Sequence, residues 1–380
     1  FWGAGILTAL LSWMRQVQAP HGRLLFPAIG AWALLTGWGL HIYASRYPQI
    51  VQRWRAIQLG TLAALTALAP GVRILATFAP PRLRSPSAVS ASCAAPTEMR
   101  YGKHIQLLCA EAPPHRVSPG ETTEVRACWM TTAPLARDYT VFVHFLGPDM
   151  QRFAERHTFP GLGRYPTSLW KPHQAFCDTY QLQVEPWTDV PVRAQLEIGL
   201  FDAGTGERLE ATTPSGQKAV PPIVGTVDLV SAPQTARDIV PQALGTLSNG
   251  GTPAMQLLSA EAPRYTIPGG EVEVGLAWLA LESGDRDYVA FVHLWQPGDP
   301  APLAQSDAQP RDAWFPTSAW QPGDRIPDVH RLRVPDSTPA GEYPLWAGMY
   351  DPQTESRLSA SGAAESYAHN LIPIGTLTIR

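Results

Sequence analysis

The stretch Gln106-Leu107-Leu108-Cys109-Ala110-Glu111-Ala112-Pro113 returns as Gln256-Leu257-Leu258-Ser259-Ala260-Glu261-Ala262-Pro263, 150 positions later. It is not an isolated echo. Arg137-Asp138-Tyr139 with Phe142-Val143-His144 returns as Arg286-Asp287-Tyr288 with Phe291-Val292-His293. Tyr165-Pro-Thr-Ser-Leu-Trp170 returns as Phe315-Pro-Thr-Ser-Ala-Trp320. Gly199-Leu-Phe-Asp202 and Arg208-Leu209 return as Gly348-Met-Tyr-Asp351 and Arg357-Leu358. Landmarks recurring in one order at a nearly constant offset mark an internal duplication. Two copies of one module are therefore expected, over residues 99–229 and 251–380, joined by a connection at 230–250.

Each copy has the grammar of a sheet protein. Val125-Arg-Ala-Cys-Trp129 and Val272-Glu-Val-Gly-Leu-Ala-Trp278 alternate in the manner of strands with one buried face. Tyr139-Thr-Val-Phe-Val-His-Phe145 is β-branched and aromatic throughout, which suits a central strand. Val117-Ser-Pro-Gly120, Ile267-Pro-Gly-Gly270 and Asp202-Ala-Gly-Thr-Gly206 are turns. Thirty-eight prolines and 31 glycines fit many short strands and loops. The expected fold is two tandem all-β, immunoglobulin-like sandwiches of seven or eight strands each.

Residues 1–79 differ sharply, being almost wholly apolar or small. Leu24–Ala44 lacks Asp, Glu, Lys and Arg and has about the twenty residues that a membrane-crossing helix needs. Ile57–Ala79 is a second expected span, interrupted by Pro70 and Gly71, and residues 1–14 a third, clipped one. Phe1 falls inside an apolar run with no basic segment before it, so the chain is expected to begin mid-helix within a longer protein. Arg46, Arg53 and Arg55 outnumber Arg15 and Arg23, which places loop 45–56 in the cytoplasm and the modules outside. Residues 80–98, rich in Pro, Ser, Ala and Arg, read as a linker with too little apolar surface to order itself. The expected fold class is thus mixed: transmembrane α-helices followed by two β-sandwiches.

A net charge of -3 gives no basic footprint for nucleic acid. The four cysteines, Cys93, Cys109, Cys128 and Cys177, permit three pairings, and the sequence does not choose among them. None has zinc-type C-x-x-C spacing, and Cys109 and Cys128 read as small buried hydrophobes. An extracytoplasmic location would permit a disulfide.

The segment Gln18-Ala-Pro-His-Gly-Arg-Leu-Leu-Phe-Pro27 resembles a stretch near the end of the helical part of bacterial polytopic glycosyltransferase-like proteins. These include the dolichyl-phosphate-mannose mannosyltransferase-like family and relatives of unknown function. The D-Y-x-x-F-V-H, Y-P-T-S-x-W and G-L-F-D landmarks resemble modules appended to some of them. The resemblance implies a multi-pass parent in the cell membrane that transfers sugar from a polyprenyl-phosphate donor on the outer face. Its catalytic carboxylate would lie in an early loop, and no residue here inherits that role. Arg23 could touch a lipid phosphate, against a simpler role as an interfacial arginine.

No nucleophile elbow, phosphate loop or H-E-x-x-H occurs. One histidine per module, His144 and His293, is too few for a metal site, so both read as structural and neither a metal nor a cofactor is expected. Asp202 and Asp351 read as turn residues rather than calcium ligands. The Arg137-Asp138 and Arg286-Asp287 pairs receive no role. The best binding candidates are Tyr165, Thr167 and Trp170, with Phe315, Thr317 and Trp320, whose rings could stack a sugar and whose hydroxyls could hydrogen-bond it. The same residues could equally plug and cap the sandwich. The sequence thus supports a non-catalytic extracytoplasmic region that binds or positions glycan or polyprenyl-linked acceptor. The alternatives are a structural, protein-interaction stalk without ligand and, third, a self-contained carbohydrate-active enzyme. Exposed Trp170 and Trp320 would favour the first, and buried ones the stalk.

Overall fold

The computed structural model describes residues 33–39, 41–42, 48–69, 79–94, 97–232, 243–362 and 367–380. The chain divides into two units, Phe1–Ala79 and Pro80–Arg380.

In the first unit, residues 33–39 and 41–42 are helical, and helix α1 spans Pro48–Ala69. The start of α1 follows from proline chemistry. Pro48 suits the first turn, where its missing N–H would have no partner anyway. Of the expected span Ile57–Ala79, α1 covers 57–69, begins nine residues earlier and takes in Arg53 and Arg55 of the expected loop 45–56, while 70–78 lie outside the described residues. Thr61 and Thr66 turn their hydroxyls back onto the carbonyls of Ile57 and Leu62, at 2.8 and 2.7 Å. Among the described residues no helix is long and apolar enough to cross a membrane. The clipped span at 1–14 and Arg23 lie outside the described residues, as does most of 24–44.

The second unit is built from sheets, as the duplication requires. In the first module β1 (Met99–Tyr101), β2 (Ile105–Glu111), β3 (Thr122–Thr131), β6 (Ala175–Gln183) and β8 (Ala211–Thr212) form a sheet in the order β6-β3-β2-β1-β8. It faces a second sheet of β4 (Tyr139–Leu146), β5 (Arg152–Thr158), β7 (Val192–Asp202) and β9 (Ile223–Leu229), in the order β5-β4-β7-β9. The second module repeats the plan. One sheet holds β10 (Gly245–Asn249), β11 (Thr252–Glu261), β13 (Glu271–Ala280), β16 (Arg325–Arg333) and β18 (Ser359–Ser361), ordered β16-β13-β11-β10-β18. The other holds β12 (Tyr265–Thr266), β14 (Val289–Leu294), β15 (Ala304–Ala308), β17 (Gly341–Tyr350) and β19 (Ile372–Ile379), ordered β12-β19-β17-β14-β15. Even the irregularities repeat: β2 bulges between Leu107 and Cys109, and β11 between Leu257 and Ser259. The second module opens earlier than expected, because β10 lies inside the presumed connection and turns into β11 through Gly250 and Gly251, both at positive φ.

Each module closes on its own apolar core. Trp129, Tyr101, Phe145, Phe176 and Leu182 fill the first, and Trp278, Val274, Val292, Phe315 and Ile326 the second. The recurring glycine of the G-L-F-D motif has a direct explanation. Gly199 pairs with Phe142 across β7 and β4, and Gly348 with Phe291 across β17 and β14. A Cβ at either glycine would collide with the phenyl ring lying over it.

The expected linker is partly a strap on the first module. Arg84 and Ala175 exchange backbone hydrogen bonds of 2.8 and 2.9 Å. A short helix α2, Pro86–Ser90, capped by Ser85, then buries Val89 against Leu108, Met130 and Ala175. Cys93 is disulfide-bonded to Cys109, and Cys128 to Cys177. One buried valine and one cross-link supply the order that composition alone does not. Cys109 and Cys128 are indeed buried, but as half-cystines rather than as free hydrophobes.

Candidate functional site

The six residues weighed both as sugar contacts and as plugs of the sandwich are all buried. Tyr165, Thr167 and Trp170 are 5%, 0% and 4% exposed, and Phe315, Thr317 and Trp320 are 0%, 1% and 2%. The indole nitrogens are satisfied within the loop that carries them, and the threonine hydroxyls by the neighbouring strand entrance. Trp170 Nε1 donates to the carbonyl of Tyr165 at 3.0 Å, and Trp320 Nε1 to that of Phe315 at 3.1 Å. Thr167 Oγ1 accepts from the Tyr139 N–H and donates to the Arg137 carbonyl. Thr317 makes the same pair of bonds with Tyr288 and Arg286. Asp138 and Asp287 anchor the next residue by accepting from the N–H of Ser168 and Ser318. Arg137 and Arg286 reach Asp202 and Asp351, at 3.1 and 2.9 Å. The Arg-Asp pairs, left without a role by sequence, thus tie the Y-P-T-S-x-W loop to the Asp turn in both copies. A polar cleft of about 300 Å³ borders Thr317 and Trp320 in the second module, but the indole presents almost no surface to it.

The two modules meet through charged contacts. The Arg116 guanidinium grips Asp324 with both nitrogens, at 2.8 and 2.7 Å, and donates to the Ala319 carbonyl. Arg311 reaches Asp189 at 2.7 Å, and the Arg193 N–H donates to the Trp314 carbonyl at 2.5 Å. A cleft of about 450 Å³ runs along this contact, lined by Arg116, Glu121, Pro191, Gln321, Asp324 and Arg325 among others.

Among the described residues, a titratable cluster lies on the outward face of the first module's four-stranded sheet. Along β4, Val141, Val143 and Phe145 enter the core, so Phe142 and His144 face the other way. Register then brings Glu155 of β5 and Glu197 of β7 opposite His144, and His157 opposite Phe142. His144 Nδ1 lies 2.7 Å from Glu197 Oε2, and its Nε2 lies 2.8 Å from His157 Nε2. Arg208 holds the other Glu197 oxygen at 2.8 Å while covering the Phe142 ring at 4.4 Å. His144 and Glu197 are buried, whereas His157 and Glu155 are open to solvent. Burial pushes the Glu197 carboxyl up, but the bonds from His144 and Arg208 outweigh it and hold the group below the usual carboxylate range. Burial and the neighbouring His144 lower the His157 pKa.

The sequence-based expectation of one histidine per module is thus corrected in the first module, where His157 of the adjacent strand joins His144. The second module lacks the cluster. Its register puts Trp346 opposite His293 where the first has Glu197, and Gln305 where the first has Glu155. His293 Nε2 is buried with no hydrogen-bond partner, and Asp307 Oδ1 is 3.9 Å away.

Another polar chain crosses the second sandwich. Ser306 Oγ is 3.2 Å from His330 Nδ1, and His330 Nε2 is 3.1 Å from Asp328 Oδ2. The order resembles a nucleophile, base and orienter. Yet His330 is sealed from solvent, and Asp328 also accepts the N–H groups of Arg311 and Val329. Asp178 accepts the Gly161 N–H at the corresponding place in the first module. Asp328 and Asp178 thereby clip loops to the sheet.

Fold and sites together define a class, a tandem pair of largely antiparallel β-sandwiches with a helical segment before them. No family model matches the chain, and no curated protein matches it. Among solved structures it is similar to a Niemann-Pick type C2 protein from the Japanese carpenter ant, at 11% identity and a TM-score of 0.22. That likeness covers 35% of this chain and 98% of that one. It is also similar to a protein described as membrane anchored, from Corynebacterium diphtheriae, at 12% identity and a TM-score of 0.17. Here 73% of this chain and 59% of that one are covered.

Proposed function

We propose that residues 80–380 are a non-catalytic, extracytoplasmic scaffold carried by a multi-pass membrane protein, acting as a stiff stalk or docking body. The observation that carries this reading is that both copies direct the same aromatic and hydroxyl landmarks into the core. Residues that could have stacked a sugar instead hold loops in place, in duplicate. Two disulfides fit an oxidising compartment, and the charged contacts between the modules favour one rigid body. The bilayer is the partner proposed for the first unit. There Leu34, Leu35, Trp38 and Ile42 are exposed, as are Leu59, Leu62 and Leu68 of α1.

The test is a pair of reporter fusions at Arg380 in a bacterial host. Alkaline phosphatase, which needs disulfides, is expected to be active, and a cytoplasm-dependent fluorescent protein dark. A dark phosphatase with a bright fluorescent fusion would overturn the placement.

A further inference from the structure

We propose that His144, His157 and Glu155 form a binding site for a divalent transition metal of the Zn²⁺ or Cu²⁺ kind, with Glu197 orienting His144. The ligand atoms of the three residues lie within 4.8 Å of one another. They come from adjacent strands at fixed register, so the site rests on the rigid part of the sheet rather than on a loop.

The proton inventory explains why this cluster differs from an ordinary surface pair. Ionised Glu197 can only accept, so His144 Nδ1 carries the hydrogen between them. In the neutral ring that leaves Nε2 bare and aimed outward at His157 Nε2. A histidine whose far nitrogen donates to a buried carboxylate, and whose near nitrogen carries a free lone pair, is the arrangement by which proteins hold imidazole ligands. At present the two Nε2 atoms share one hydrogen at 2.8 Å. A metal at about 2.0–2.1 Å from each nitrogen would take the place of that hydrogen and part the two Nε2 atoms to about 3.3 Å. His157 is solvent-exposed and free to make that shift. Glu155 is engaged with Arg152 at 3.0 Å in an exposed ion pair of little strength, which a metal can compete away.

Two imidazoles and one carboxylate suit Zn²⁺ and Cu²⁺, and leave the remaining positions to water. The preference order for such donors puts Cu²⁺ above Zn²⁺. The second module is a built-in control, since Gln305 and Trp346 replace the two carboxylates.

The experiment is titration of the untagged full chain with Zn²⁺ by calorimetry and with Cu²⁺ by electron paramagnetic resonance. One equivalent should bind, with nitrogen hyperfine structure from two imidazoles. His157→Ala, at an exposed position, should fold normally by circular dichroism. It should lose about a hundredfold or more in affinity and retain one imidazole signature, and Glu155→Gln should lose about tenfold. His293→Ala should leave the stoichiometry at one. Absence of binding in the wild type, or affinity and spectrum unchanged in His157→Ala, would overturn the site.

Discussion

Arg116 of the first sandwich closes on Asp324 of the second through two parallel hydrogen bonds of 2.8 and 2.7 Å, with both side chains largely buried. A bidentate pair sheltered in this way fixes orientation as well as distance. Deleting one partner strands the other charge. Asp324→Ala is therefore expected to cost about 3 kcal/mol of coupling between the modules. Urea unfolding followed by calorimetry should resolve one cooperative transition in the wild type and two in the variant. A single unshifted transition in the variant would show that the pair does not couple the modules.

Gly199 and Gly348 make a matched pair of tests for the duplicated core. Each lies under a phenyl ring that a methyl group would strike, with Phe142 and Phe291 as the obstructions. Gly199→Ala and Gly348→Ala should each destabilise by about 1–3 kcal/mol through overpacking, seen as a lower urea midpoint. Replacing Gly206, whose Cβ would meet open space but whose φ is +73°, separates backbone strain from collision.

The strap is held by the bond from Cys93 to Cys109, 16 positions apart. Loop-closure entropy for a segment of that size is about 3 kcal/mol. The paired replacement of Cys93 and Cys109 by Ala should release residues 80–94, leaving Val89 as their main apolar anchor. Hydrogen exchange over that segment should quicken by two orders of magnitude or more while β3 and β6 stay protected.

The duplication was legible because fold-maintaining contacts need the same side chains twice. Phe over Gly, Thr bridging two backbone groups and Trp plugging the end each left a spaced motif. The His144 cluster was not legible. His157, Glu155 and Glu197 belong to one copy only, so no repeat flags them, and their convergence depends on a register that side-chain alternation does not fix across strands. A signal was nonetheless present. Glu155 and His157 sit two apart, on one face of a strand that follows the F-V-H strand by a short turn. The strap left no signal in the composition for a different reason: an average hides one valine and one cysteine.

Glu197 sets an acid limit on the first module. Its carboxyl titrates below the usual range in the fold, and in the unfolded chain near about 4.3. A group depressed in this way contributes stability that is fully present above the unfolded value and lost as pH falls through the folded one. The urea midpoint of the first module should therefore decline below about pH 4.5. Glu197→Gln should start lower at pH 7, because His144 and Arg208 lose an ionised partner, and should decline less over the acid range. Equal acid slopes in the two proteins would assign the loss to other carboxylates, of which Glu111, held low chiefly by its bond from Arg126, is the first to test.

The buried tryptophans decide between stalk and glycan reader. Truncating a fully packed indole costs about 3–5 kcal/mol, so Trp170→Ala and Trp320→Ala should each lower the thermal midpoint of their own module. If the indoles serve only packing, the intact full chain should give no saturable signal on a glycan array or with polyprenyl-phosphate sugars at millimolar concentration. Binding by the wild type would place a sugar site away from the two rings. The polar cleft with Asn249, Glu282 and Asp285 on its rim is where to look first. Glu282→Ala, which leaves the core untouched, would then distinguish recognition at that rim from a loss of folding.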